Sequence, residues 1–224
     1  MLGPRKGLVA RLWRLVRGAV SPFGDLRCVF FFERSLIEPV TAVPNRLNAT
    51  IRLAGETDLG AICGFYKNDS WLWLGSHPGD KAAEQLYRDR LSRGERCYLA
   101  LVGDELAHVN WTCYRWGDAL PGRPLWLGAG EVYTTDAFTP VAFRGKGVHA
   151  LVLGTMLNDA RATGAHRAYT LGDLDRPDAH KGLRALGWQE TGRVLYFQPR
   201  GTSRTFCLYR TGNVTPLFRR QASA

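Results

Sequence analysis

The stretch Phe143-Arg144-Gly145-Lys146-Gly147-Val148-His149 lies between a strand-like run and a long apolar helix. Two glycines one residue apart let the backbone turn so that successive N–H groups point the same way. The helix that opens there adds its own unpaired N–H groups and positive dipole end. Arg144 and Lys146 add cations. Such a turn can hold a pyrophosphate. It needs a strand leading in and a helix leading out, which points to a layered α/β chain. The pattern is neither a Walker loop nor a G-x-G-x-x-G fingerprint.

Elements expected around this turn follow from periodicity. Residues 50–53 read as a short strand, 57–65 as a helix opened by Thr57-Asp58, and 81–92 as a second helix capped by Asp80. Strand-like runs 96–102 and 105–116 flank Gly103-Asp104, a tight hairpin signal. Residues 117–124 read as loop and 125–138 as one long strand. A helix over 147–163, a strand over 166–171, a helix over 177–186 and strands over 188–198 and 204–209 complete the order. An antiparallel hairpin followed by strand–helix–strand–helix–strand describes an α/β chain with one mixed sheet and helices on its faces.

Charge is distributed unevenly. Residues 1–50 carry eight Lys/Arg against three Asp/Glu, and residues 193–224 carry six Arg and no acid, within a chain of net charge +10. The span between is nearly balanced. Basic ends suit a phosphate-bearing ligand, nucleic acid or an anionic membrane face, or serve solubility alone. Nucleic acid is disfavoured, because the C-terminal arginines are dispersed rather than interleaved with aromatics on one surface. The five cysteines form no CxxC pair. That argues against a disulfide framework or a zinc knuckle and for a reducing, cytoplasmic setting. His108, His149, His166 and His180 offer no HxH or HExxH spacing, so no metal site is expected.

Residues 6–20 read as a basic amphipathic helix. Leu8, Leu12, Leu15 and Ala19 recur at spacings of three and four, with Arg11, Arg14 and Arg17 on another side and Trp13 available for an interface. Its Arg-rich, acid-free composition is shared with mitochondrial transit peptides. Two uses stay open: docking on the domain, or peripheral contact with a membrane surface. Ser21-Pro22-Phe23-Gly24 ends the helix, Val29-Phe30-Phe31-Phe32 suits a strand, and 39–48 reads as a linker. The expected organisation is an extension over 1–48, a domain over 49–211 and a basic tail over 212–224.

With Pro140 upstream, Arg144, Gly147 and His149 resemble the R/Q-x-x-G-x-G/A signature of the GNAT superfamily of N-acetyltransferases, His149 standing where a small residue is usual. Leu183-Arg184-Ala185-Leu186-Gly187-Trp188 resembles the family's Y-x-K-x-G-F ending, with Leu183 at the Tyr position. The resemblance covers about residues 49–209. It implies an acyl-CoA cosubstrate, most often acetyl-CoA, whose acyl group passes directly to an amine acceptor. Phe143, Arg144, Gly145, Lys146, Gly147, Val148, His149 and Ala150 would then line the phosphates. Backbone groups from Asp136 through Phe138 and Thr139 would line the pantetheine arm. Homodimers remain open.

The same resemblance implies a carboxylate, or water on one, to deprotonate the amine. Glu131 sits on the strand that carries it in many relatives, and Asp136 lies further along. Strand alternation puts the two on opposite faces unless a bulge intervenes. No general acid carries over; Tyr196 and Tyr133 are candidates. Trp71, Trp73, Trp111 and Trp116 could line an acceptor pocket, with core packing the competing use for Trp111. A non-catalytic acyl-CoA-binding module is the alternative function.

Overall fold

The computed structural model describes residues 4–67 and 80–220. Trp71 and Trp73 lie outside them. The chain is mixed α/β, with sheet strands flanked by helices, as the element order predicts. It divides into two compact units.

One unit spans Ser35–Gly117 and Leu127–Ala168. Its strands are β2 (Thr50–Leu53), β3 (Arg96–Val102), β4 (Glu105–Cys113) and β7 (Glu131–Phe138), in the order β7-β4-β3-β2 and antiparallel throughout. Strand alternation divides its core. Cys97 and Leu99 of β3 join Val109 and Trp111 of β4 against helices α2 (Leu59–Lys67) and α3 (Asp80–Ser92). Tyr98 and Ala100 join Val148, Val152 and Met156 of helix α4 (Val148–Ala162). Trp111 is fully buried and stacks on Tyr87, so packing is its use. Cys63, Cys97 and Cys113 are buried and form no disulfide.

The other unit holds the described residues up to Arg34, then Asp118–Trp126, and those from Tyr169 on. Helix α1 (Pro4–Val20) precedes β1 (Gly24–Ser35), longer than the apolar run that predicts it. Val29, Phe30, Phe31 and Phe32 are all buried, so β1 is covered on both faces. The strand order is β10-β9-β1-β8, where β8 is Arg167–Asp173, β9 is Gln189–Pro199 and β10 is Phe206–Gly212. β9 pairs antiparallel with β1 on one side and β10 on the other.

Helix α5 (Pro177–Ala185) begins with proline at its first turn. It ends in a paired-hydrogen-bond glycine cap, with Trp188 N–H donating to the Leu183 carbonyl and Gly187 N–H to that of Arg184. Gly187 has φ +80°, a conformation that favours glycine. That geometry is the physical content of the Leu-Gly-Trp ending.

One expected loop is a hairpin. Strands β5 (Trp116–Leu120) and β6 (Arg123–Trp126) pair across Pro121-Gly122, with Gly122 at φ +66°. The long strand expected over 125–138 is therefore two strands, separated where Gly128 and Gly130 interrupt it.

Candidate functional site

β7 delivers the chain to the glycine turn. After Phe138, Thr139 and Pro140 lead into a single 3-10 turn, Val141–Phe143, whose Phe143 is buried and anchors the loop in the core. Gly145 has φ +74° and Gly147, the N-cap of α4, has φ +85°. A Cβ at either would meet no atom within 4 Å. These glycines are thus required by backbone conformation, and the space over them is open. The first turn of α4 leaves N–H groups without partners inside the helix. Arg144 and Lys146 are exposed beside them. Convergent amides, a helix N-terminus and two cations fit a pyrophosphate.

Both ends of the loop are held. Arg144 Nε donates to the Thr139 carbonyl at 2.8 Å. His108, fully buried on β4, has Nδ1 2.7 Å from Thr139 Oγ1. Its Nε2 lies 3.4 Å from His149 Nδ1, and the two rings meet edge to face. Burial lowers the pKa of His108 well below the usual imidazole range, with the neighbouring His149 adding to it, and lowers that of His149 to about 4. Both rings are therefore neutral near pH 7. Sequence spacing singles out His149 as a departure from the signature, but nothing in it shows that His108 is its partner.

Asp136 sits on a bulge. Val109 pairs with Phe138 and Trp111 with Thr135, so Asp136 and Ala137 together face the single residue Asn110. Asp136 has φ +51°, rare outside glycine. Its carboxylate accepts from Arg90 Nη1 at 2.5 Å, and its carbonyl accepts from the Tyr66 hydroxyl at 2.5 Å. Arg90 also donates to Glu95 at 2.7 Å and lies over the Trp111 ring at 4.1 Å. Burial opposes the charge on Arg90, and its acidic neighbours Asp136 and Glu95 outweigh that, raising its pKa well above the ordinary value.

Glu131 stands at the opposite end of β7, about 16 Å from Asp136 at the usual strand rise. It is buried, and its Oε2 accepts from the Gly128 N–H at 2.8 Å, closing the turn into the strand. Tyr196 belongs to the other unit, where it is buried on β9 opposite Arg27 of β1, and burial raises its pKa. Tyr133 is buried on β7. The loop residues, Asp136, Phe138 and Thr139 are therefore brought together, and Glu131 lies at a distance from them along the strand. Among the described residues, no group of three or more His, Cys, Asp or Glu side chains could hold a metal ion.

The backbone compares with solved structures at low sequence identity. A GCN5-related N-acetyltransferase from Sphaerobacter thermophilus superposes with a TM-score of 0.58 at 15% identity, covering 83% of this chain and 56% of that one. A ribosomal-protein-alanine N-acetyltransferase from Brucella melitensis gives 0.54 at 19% identity, covering 73% and 99%. The fold is the GNAT fold. A GNAT-family protein from Novosphingobium aromaticivorans gives 0.54 at 13% identity, covering 77% of this chain and 64% of its own. The chain thus spans less than two thirds of the length of two of these GNAT-fold structures. No family model matches the sequence, and no curated protein does.

Proposed function

We propose that this chain is an acyl-CoA-dependent N-acyltransferase, with acetyl-CoA as donor and an amine as acceptor. The observation that carries the reading is the glycine turn between β7 and α4, with two left-handed glycines open to solvent on a GNAT fold. The thioester supplies an activated acyl carbon when bound. The amides of 145–150, with Arg144 and Lys146, hold the pyrophosphate. Thr139, gripped by His108 and Arg144, fixes where the loop leaves the strand.

An amine is protonated at neutral pH and must lose a proton to attack. Asp136 is the carboxylate nearest the loop along β7, and we assign it, or water on it, as acceptor. Glu131 holds the turn at the other end of the strand and acts on its position. The C–N bond forms, the C–S bond breaks, and the thiol takes up a proton from solvent. Tyr196 packs β9 against β1 and is given no proton to move.

The test is calorimetric titration with acetyl-CoA, followed by thiol release against a panel of small amines and peptide N-termini. Binding with acceptor-dependent thiol release is expected. Binding without release across the panel would favour the non-catalytic module, a reading supported by Leu183, an aliphatic residue buried where the family's tyrosine would stand. Absence of binding would refute both.

A further inference from the structure

Helix α1 faces the wrong way for a helix that exists to fill a core. At 100° per residue, Leu12, Leu15, Val16 and Ala19 fall within an arc of about 100°. Leu12 is 53% exposed, Leu15 71% and Val16 48%, and Ala19 is exposed as well. The neighbouring arc of Trp13, Arg17 and Val20 is the covered one. Arg17 is ion-paired with Asp175 and, at 3.3 Å, with Asp25, both in the same unit. The Trp13 indole Nε1 is buried without an acceptor. The tryptophan expected at an interface is thus turned inward, and the leucines are turned out. Phe23, just after the helix, is 72% exposed.

We infer that α1 is a peripheral anchor that lays Leu12, Leu15 and Val16 into the interfacial region of an anionic lipid bilayer. Charge selects this occupant. Residues 1–24 contain five Lys/Arg and no Asp/Glu. Nucleic acid would engage the cations and leave the leucines wet. A second copy of the chain would bring two acid-free basic helices together. A bilayer with anionic headgroups takes both the cations and the apolar arc. At 17 residues the helix is about 25 Å long, suited to lying in the interface plane. No helix among the described residues is long and apolar enough to cross a membrane. The inference does not depend on the chemistry at the glycine turn.

The experiment uses the full chain with phosphatidylcholine vesicles, with and without phosphatidylserine, in a sedimentation assay. Binding to the anionic vesicles alone, weakened by salt, is expected. Leu12→Gln and Leu15→Gln should each weaken partitioning by about tenfold, the scale of one buried leucine side chain. The melting temperature should not move, because both side chains are already exposed. Failure of the full chain to sediment overturns the inference. So does equal binding by the double variant, or a melting temperature lowered by the substitutions. Self-association of the full chain in sedimentation velocity, lost in the double variant and without vesicle binding, would assign the arc to a second copy instead.

Discussion

Alanine substitutions at three glycines separate backbone strain from ligand contact. Gly103, Gly145 and Gly147 have φ of +60°, +74° and +85°, and a Cβ at any of them would meet no atom within 4 Å. Only Gly103, in the hairpin between β3 and β4, lies away from the proposed phosphate cradle. Placing a side chain in left-handed backbone costs roughly 1–2 kcal/mol. Loss of unfolded-chain freedom offsets about 0.4–1 kcal/mol of that. The net is about 1 kcal/mol, or a fall of about 2–4 °C in Tm for a chain of this size. All three variants should show it. At Gly145 and Gly147 the methyl group also stands where the pyrophosphate approaches the amides. Loss of one charge-assisted hydrogen bond is worth about 1.5–3 kcal/mol, roughly 10–150-fold in Kd. Thermal unfolding paired with calorimetric titration of acetyl-CoA reads both quantities. Gly103→Ala should lose stability and keep its affinity, while the two loop variants lose both. Equal affinities across the three would refute the assignment of the cradle.

Further outcomes distinguish the two carboxylates and the imidazoles. Asp136→Asn should lower turnover by about 10²-fold or more with little change in acetyl-CoA affinity. Glu131→Gln should keep turnover but cost about 1 kcal/mol in urea unfolding, as the Gly128 amide loses a charged acceptor; the opposite pattern would return the base to Glu131. His149 has a folded pKa of about 4, below the unfolded value, so the native state favours the neutral ring. The stability tied to that ring is whole above about pH 6.5 and is lost as pH falls toward 4, by about 3 kcal/mol. His149→Asn should flatten unfolding free energies over that window, and an unchanged slope would mean the imidazole is not buried in solution.

What could be read in the residues is what local rules decide. The glycine turn, the apolar period of α4 and the Leu-Gly-Trp helix ending each depend on neighbours within a turn or two. The β5–β6 hairpin escaped because Gly117, Gly122 and Pro124 crowd a short segment and resemble loop, although Pro121-Gly122 is a two-residue turn signal. Long-range contacts left no trace. Arg90 reaches Asp136 across 46 positions and His149 meets His108 across 41. Nothing along the chain marks either pair. The helical wheel of α1 was legible, but which arc faces the domain was decided by Asp25 and Asp175, whose positions only folding brings to Arg17.

The bulge at Asp136 makes the orientation of the glycine turn a matter of counting. Between Thr135 and Phe138, β7 spends one residue more than β4 does. Phe138 nonetheless pairs with Val109 and packs into the same core cluster as Trp111, so the extra residue bends the strand without changing the face on which Phe138 emerges. Deleting Ala137 would keep that pairing and remove the bend just before the cradle, together with the left-handed backbone at Asp136. The cradle would then be re-aimed with each of its own residues unchanged. Grafts of this loop onto another strand must therefore carry the bulge with it.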